Sequence, residues 1–180
     1  MTIKYIQEQL GVVADGLWGS TSHTALIQAL RQGKVIKASN NFTVNELLHS
    51  DKAVDNGIEN LPSPQDFKNL INTVVNLWQP VRDLLGHPMK VTSAYRNPKV
   101  NKLVGSGSGS AHLVGYAMDF RCPDFGSTSE IVKFLAKELP KRGIKFDQLI
   151  LEYRNSPKSW VHLAWKNQRG QQRSQVFSID

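Results

Sequence analysis

Ser110-Ala111-His112-Leu113-Val114-Gly115-Tyr116-Ala117-Met118-Asp119-Phe120-Arg121 decides how the chain is read. His112 and Asp119 stand seven positions apart, a spacing that would put them on one face of a helix. Gly115 lies between them, and the run Gly105-Ser106-Gly107-Ser108-Gly109-Ser110 comes just before. Glycine is costly inside a helix and free to turn outside one. The stretch therefore reads as a loop that ends at His112, followed by a strand over 116–121 from which Asp119 projects. A carboxylate in an otherwise apolar strand needs a partner.

Outward from this stretch, residues 90–95, 148–153 and 160–165 read as further strands. In 160–165, Trp160, His162 and Ala164 share one face and Val161, Leu163 and Trp165 the other. Helices flank the strands. Ser63-Pro64 opens the longest, with Ser63 as cap, Pro64 in the first turn and Asp66 where the dipole favours an acid. Its apolar stripe runs from Phe67 to Leu85, and Pro80 is expected to kink or end it. Thr43-Val44-Asn45-Glu46 and Ser127-Thr128-Ser129-Glu130 both fit capping boxes. Residues 51–62 and 97–111 read as loops. Residues 1–36 read as two short helices around the turn Ala14-Asp15-Gly16-Leu17-Trp18-Gly19, the second capped by Ser20 and stopped at Gly33. The expected fold is α+β: a small antiparallel sheet with helices packed on it, preceded by a short helical module. The expected division is 1–36 and 37–180.

The chain has 180 residues, 40% hydrophobic and 21% charged, enough to bury a core. One cysteine, Cys122, excludes an intramolecular disulfide and a cysteine-rich zinc site. A metal must then be held by histidine and carboxylate. The net charge of +7 favours polyanions such as nucleic acid, anionic membranes or an acidic wall. No aromatic–basic stacking motif or recognition helix accompanies it, so nucleic acid is set aside. No apolar run is long enough for a membrane span, and the first residues lack a signal-peptide core. The chain is therefore expected in a cytoplasm.

His112, Asp119 and His162 are candidate metal ligands, since two imidazoles and one carboxylate make the three-ligand set of a catalytic zinc site. The residues alone leave a second reading open, because a single histidine in a strand is more often simply packed. His23, His49 and His87 fall on a helix of the small module, a helix end and a turn, and are weaker candidates.

Ser93-Ala94-Tyr95-Arg96, then Ser110-Ala111-His112 with Asp119 seven residues on, then Trp160-Val161-His162, resembles the zinc D-alanyl-D-alanine carboxypeptidases and their relatives. Those relatives include the L-alanyl-D-glutamate endopeptidases that bacteriophages use as endolysins. The resemblance covers about residues 40–165. It implies zinc on His112, Asp119 and His162, Arg96 holding a substrate carboxylate or carbonyl, and Ser93 and Ser110 as secondary substrate groups or supports behind the site, with simple loop capping as their other reading. Many members carry an acid three positions before the last histidine, where this chain has Ser159. Glu152 resembles the base of the phage-type subgroup, with Asp147 as the weaker alternative. Ile6-Gln7, Leu10-Gly11, Asp15-Gly16-Leu17-Trp18-Gly19 and Ala25-Leu26 resemble the peptidoglycan-binding module of wall hydrolases, without its third helix.

Together the resemblances imply a monomeric zinc peptidase of bacterial peptidoglycan, a phage endolysin held in the host cytoplasm until it is released to the wall. The alternative is a zinc-containing wall-binding or phage structural protein without turnover. The residues do not say which bond is cut.

Overall fold

The computed structural model describes residues 2–180. The N-terminal hairpin comprises α1 (Ile3–Leu10) and α2 (Ser20–Arg31). Gln7 organises the turn between them. Its buried amide donates to Asp15 Oδ1, to the Leu17 carbonyl and to Ser22 Oγ, and its Oε1 accepts from Gly16 N–H. Helix α2 begins at Ser20 itself: Gly19 is the cap and no side chain caps the end, which corrects the expected role of Ser20.

Short helices α3 (Val44–Leu48) and α4 (Asp51–Asp55) follow. The Thr43–Glu46 capping box forms as expected. Helix α4 falls where a loop was expected, started by Ser50, whose hydroxyl accepts from Ala53 N–H.

Helix α5 (Pro64–Thr73) has Ser63 as its cap and leads through a π-helical turn, Val74–Trp78, into α6 (Gln79–Leu85). Pro80 accounts for that turn. It has no N–H to give, and the widened turn just before it absorbs the lost bond, so the helix neither stops nor breaks. Strand β1 (Lys90–Ser93) precedes α7 (Pro98–Leu103), and a 3-10 turn, Ala111–Val114, leads into β2 (Ala117–Arg121). Helix α8 (Thr128–Lys141), started by the Ser127–Glu130 capping box, is followed by β3 (Gln148–Glu152), β4 (Trp160–Ala164) and β5 (Gln175–Ile179).

The sheet runs β1-β2-β4-β3-β5. The pairs β1–β2, β2–β4 and β3–β4 are antiparallel, as expected. The sheet is nevertheless mixed, because β5 joins its edge parallel to β3. An antiparallel return needs only a tight turn, whereas a parallel one needs a long crossover. The crossover here is the whole of β4 and the loop after it.

One face of the sheet, with Met118, Phe120, Leu149, Leu151, Val161 and Leu163, is buried against the helices. Trp78 reaches this layer and donates Nε1–H to the Leu163 carbonyl at 3.4 Å. The same core continues into the N-terminal hairpin through Ile6, Trp18 and Leu26, with the Trp18 and Phe67 rings 4.5 Å apart. The opposite face of the sheet is open. Strand alternation places Asp119, His162, Ile150 and Glu152 there, on an α+β scaffold whose packing is complete without them.

Candidate metal centre

Asp119 and His162 are direct cross-strand partners on β2 and β4, so their side chains rise side by side from the open face. His112 arrives from the 3-10 turn, which is held in three ways. Ser110 Oγ accepts from His112 N–H, Gly115 closes the turn at φ +75°, and the His112 carbonyl accepts from Arg96 N–H at 3.1 Å. Glycine is the residue that adopts this left-handed φ without strain.

Asp119 Oδ1 stands 2.8 Å from His162 Nδ1 and 3.3 Å from His112 Nε2. One ligand atom from each of His112, Asp119 and His162 falls within 4.8 Å of the others, and all three residues are buried. Ligands about 2.1 Å from a tetrahedral zinc stand about 3.4 Å from each other, so the donor set fits that ion in type and span. The His112 tautomer is set from behind: its Nδ1 lies 2.6 Å from the Ala94 carbonyl, donates to it, and leaves Nε2 for the site.

Charge follows the same geometry. Burial pushes the His112 imidazole below its ordinary pKa, with Asp119 partly opposing this. Burial alone would push the Asp119 carboxyl up. The adjacent His112 and His162 outweigh that effect and hold it well below the usual carboxylate range. Asp119 is thus an anion and His112 a neutral base, the states in which both bind metal.

Arg96 borders the centre. Its Nη2 donates to Asp119 Oδ2 at 2.7 Å and its Nε to Ser93 Oγ at 2.8 Å. Part of the guanidinium thus orients the carboxylate, and Nη1 is left for a ligand. Ser93 supports Arg96, and Ser110 caps the turn that carries His112. Glu152 ends β3, with Oε1 4.0 Å from His162 Nδ1. Its carboxyl is raised by burial and by the Asp119 charge. Asp147, the other candidate base, lies at the opposite end of β3, where Arg173 grips both of its oxygens at 2.7 Å.

All of these side chains, Ser93 and Ser110 included, line a cleft of about 930 Å³ across the sheet face. That volume is at the upper end of the roughly 300–1,000 Å³ usual for ligand sites and has room for several residues of an extended peptide. Lys90, Arg121, Tyr153, Trp160 and Arg173 also line it and were not picked out from sequence. For Arg121 and Trp160 the signal was present in the strand alternation, which puts positions 121 and 160 on the face of Asp119 and His162, whereas a bulge between Val91 and Ser93 hides Lys90 from that pattern.

The family model for peptidase M15 matches residues 40–164, well over half of the chain. The chain belongs to the peptidase M15 family. It is a zinc-dependent peptidase, and the matched region runs from the entry to α3 through the end of β4, taking in every residue of the centre. The N-terminal hairpin lies outside the match. Among curated proteins no match to this M15 peptidase was found.

Proposed function

We propose that this M15 peptidase hydrolyses an amide bond in the stem peptide or cross-link of bacterial peptidoglycan, with zinc on His112, Asp119 and His162 and Glu152 as general base. The observation that carries the reading is the placement of Glu152. Its carboxylate faces His162 on the neighbouring strand, in an open cleft beside three buried donors.

Zinc supplies, when bound, Lewis acidity toward a carbonyl oxygen and toward water. Glu152 accepts a proton at Oε1 from the attacking water as its oxygen bonds to the amide carbon. The C–N bond then breaks, and the same carboxyl returns the proton to the departing amine. Arg96 offers Nη1 to a carboxylate or carbonyl of the substrate and keeps Asp119 turned toward the ligand site.

A wall substrate is supported by the N-terminal hairpin, whose Gln7-stapled Asp15-Gly16-Leu17-Trp18-Gly19 turn resembles peptidoglycan-binding modules. A monomeric phage endolysin, made in the host cytoplasm and released to the wall, is the role that best joins this hairpin to the peptidase. Among the described residues no helix is long and apolar enough to cross a membrane.

Digestion of purified sacculi tests the reading. Zinc-loaded protein, chelated protein and Glu152→Gln are compared, and the released fragments are analysed by mass spectrometry. New amino ends formed only by the zinc-loaded wild type are expected, and their masses name the bond. Wall binding without new amino ends would leave a non-catalytic wall-binding protein instead.

A further inference from the structure

Lys90 and Arg121 are cross-strand partners on β1 and β2, and both line the cleft. Like charges placed directly opposite each other repel and weaken a strand pair. The neighbouring anions do not offset them: Asp119 is taken by Arg96, and Asp147 by Arg173. Glu152 lies beyond Trp160, the β4 residue next in register to Arg121. Arg121 Nε is buried without a hydrogen-bond partner. A buried donor left without an acceptor costs free energy, and the cost is largest for a charged group. The sheet thus sets an exposed Lys90 directly opposite Arg121 along the cleft wall, and Arg121 Nε has no acceptor within the protein.

We propose that Lys90 and Arg121 form a carboxylate subsite that selects substrates bearing a free carboxylate near the scissile amide. The guanidinium fork suits a planar carboxylate, and the Lys90 ammonium adds a point charge on the other side. Arg121 lies two residues from Asp119 along β2, about 6.6 Å of strand rise. A carboxylate held there sits one or two residues along an extended peptide from the bond at the metal centre. Arg96 touches the ligand aspartate, whereas this pair lies one ladder step away. The two sites therefore read different groups of one substrate. The subsite rests on reading the cleft as a stem-peptide site, since stem peptides carry free carboxylates that some bacteria amidate.

The probes are the tripeptide L-alanyl-γ-D-glutamyl-L-lysine and the same tripeptide with its D-glutamyl α-carboxylate amidated. Binding to the full zinc-loaded chain is measured by calorimetry in a Glu152→Gln background, which stops turnover and leaves the subsite intact. The acid is expected to bind about ten- to a hundredfold tighter than the amide, the range of a charge-assisted pair. Adding Arg121→Gln or Lys90→Met should collapse that preference. Arg121→Lys, which keeps the charge, should retain part of it and guards against misfolding as the cause of the loss.

Equal binding of acid and amide in the Glu152→Gln background overturns the subsite, as does a preference that survives Arg121→Gln. Failure to bind either tripeptide, in a protein whose wild type still cuts sacculi, overturns the subsite alone. Failure to cut sacculi overturns the parent reading instead, and the acid-over-amide contrast still decides whether Lys90 and Arg121 hold a carboxylate.

Discussion

Arg173 grips Asp147 with both arms, Nε to Oδ1 and Nη2 to Oδ2 at 2.7 Å each, and its backbone N–H adds a third bond to Oδ1 at 3.1 Å. Asp147 is 1% exposed and immediately precedes β3, whereas Arg173 is in the segment that leads into β5. The pair therefore fastens the last strand to the sheet. Arg173→Gln leaves a buried carboxylate without its charge partner. Fully buried pairs lose about 3–5 kcal/mol when one partner is removed. The Arg173 side chain is 40% exposed, so solvent screening lowers the expected loss to about 2 kcal/mol. Denaturant unfolding measures it, and an unchanged midpoint would contradict the lock. Activity separates the two acids: Glu152→Gln should lower kcat by about a hundred- to ten-thousandfold. Asp147→Asn should act mainly on stability.

Trp18 joins the hairpin to the rest of the molecule. Its ring lies 4.5 Å from that of Phe67 on α5, and Ile6 and Leu26 lie in the same continuous core. Trp→Ala in a core costs about 3–5 kcal/mol. The buried Trp18 Nε1 has no acceptor, so truncation also removes an unpaired donor, and about 3 kcal/mol is expected. Because the core is shared, melting should stay a single transition at lower temperature. Two separate transitions would show that the hairpin folds as an independent module.

How much was legible follows from which signals are local. The alternation of 116–121 and 160–165, the two capping boxes and the Ser63-Pro64 helix start can each be read within a few residues, and each forms as expected. The strand positions of Asp119 and His162 were legible for the same reason, whereas His112 stands in a turn and was joined to them by the family resemblance. Strand β5 was not. Val176 and Phe177 are adjacent rather than alternating, all five of its residues are exposed, and its parallel partner is 27 positions away. The Arg173–Asp147 pair spans 26 positions, and the Lys90–Arg121 pairing appears only once register is known. Helices α4 and α7 were missed for a different reason. Their caps, Ser50 and Asn97-Pro98, were readable, but segments of five and six residues carry too few turns for a periodicity.

The metal-free protein should lose stability as pH falls from about 7 to 5. Burial holds the His112 imidazole below its ordinary value of 6.5, so in this window the unfolded chain takes up a proton that the folded chain refuses. His23, also lowered by burial, acts with the same sign. Asp119, with a depressed carboxyl, contributes stability above its unfolded value of about 3.9, and this is lost only at lower pH. Each kcal/mol lost lowers Tm by about 2–4 °C in a chain of this size. Melting of chelated protein at pH 7.5, 6.5, 5.5 and 5.0, at fixed ionic strength, reads the slope directly, and His112→Asn should make it shallower. The raised Glu152 carboxyl acts with the opposite sign in both proteins, so equal slopes in chelated wild type and His112→Asn would contradict a buried neutral His112.

Gly115 tests whether the 3-10 turn positions the metal ligand. At φ +75° a side chain is already strained, and an added Cβ would stand 2.8 Å from the Asp66 carbonyl oxygen and 2.9 Å from Leu70 N, both backbone atoms of α5. Neither can swing aside as the end of a flexible side chain can, so the turn itself must move. The turn carries His112, and Thr73 Oγ1 also anchors it through the Gly115 carbonyl at 3.0 Å. Strain and overpacking of about 1–3 kcal/mol each are expected from Gly115→Ala. Displacing a ligand's support typically lowers metal affinity about ten- to a hundredfold. Gly109→Ala is the control, because a Cβ there meets nothing within 4 Å. It lies in the same loop, so a change of loop composition alone would affect both variants alike. Zinc titration against a chromophoric chelator, alongside melting, should show Gly115→Ala weakened in both and Gly109→Ala close to wild type. Equal zinc affinity in the two variants would mean that His112 is held by the Ala94 carbonyl and Ser110 alone, without the pressure of the turn on α5.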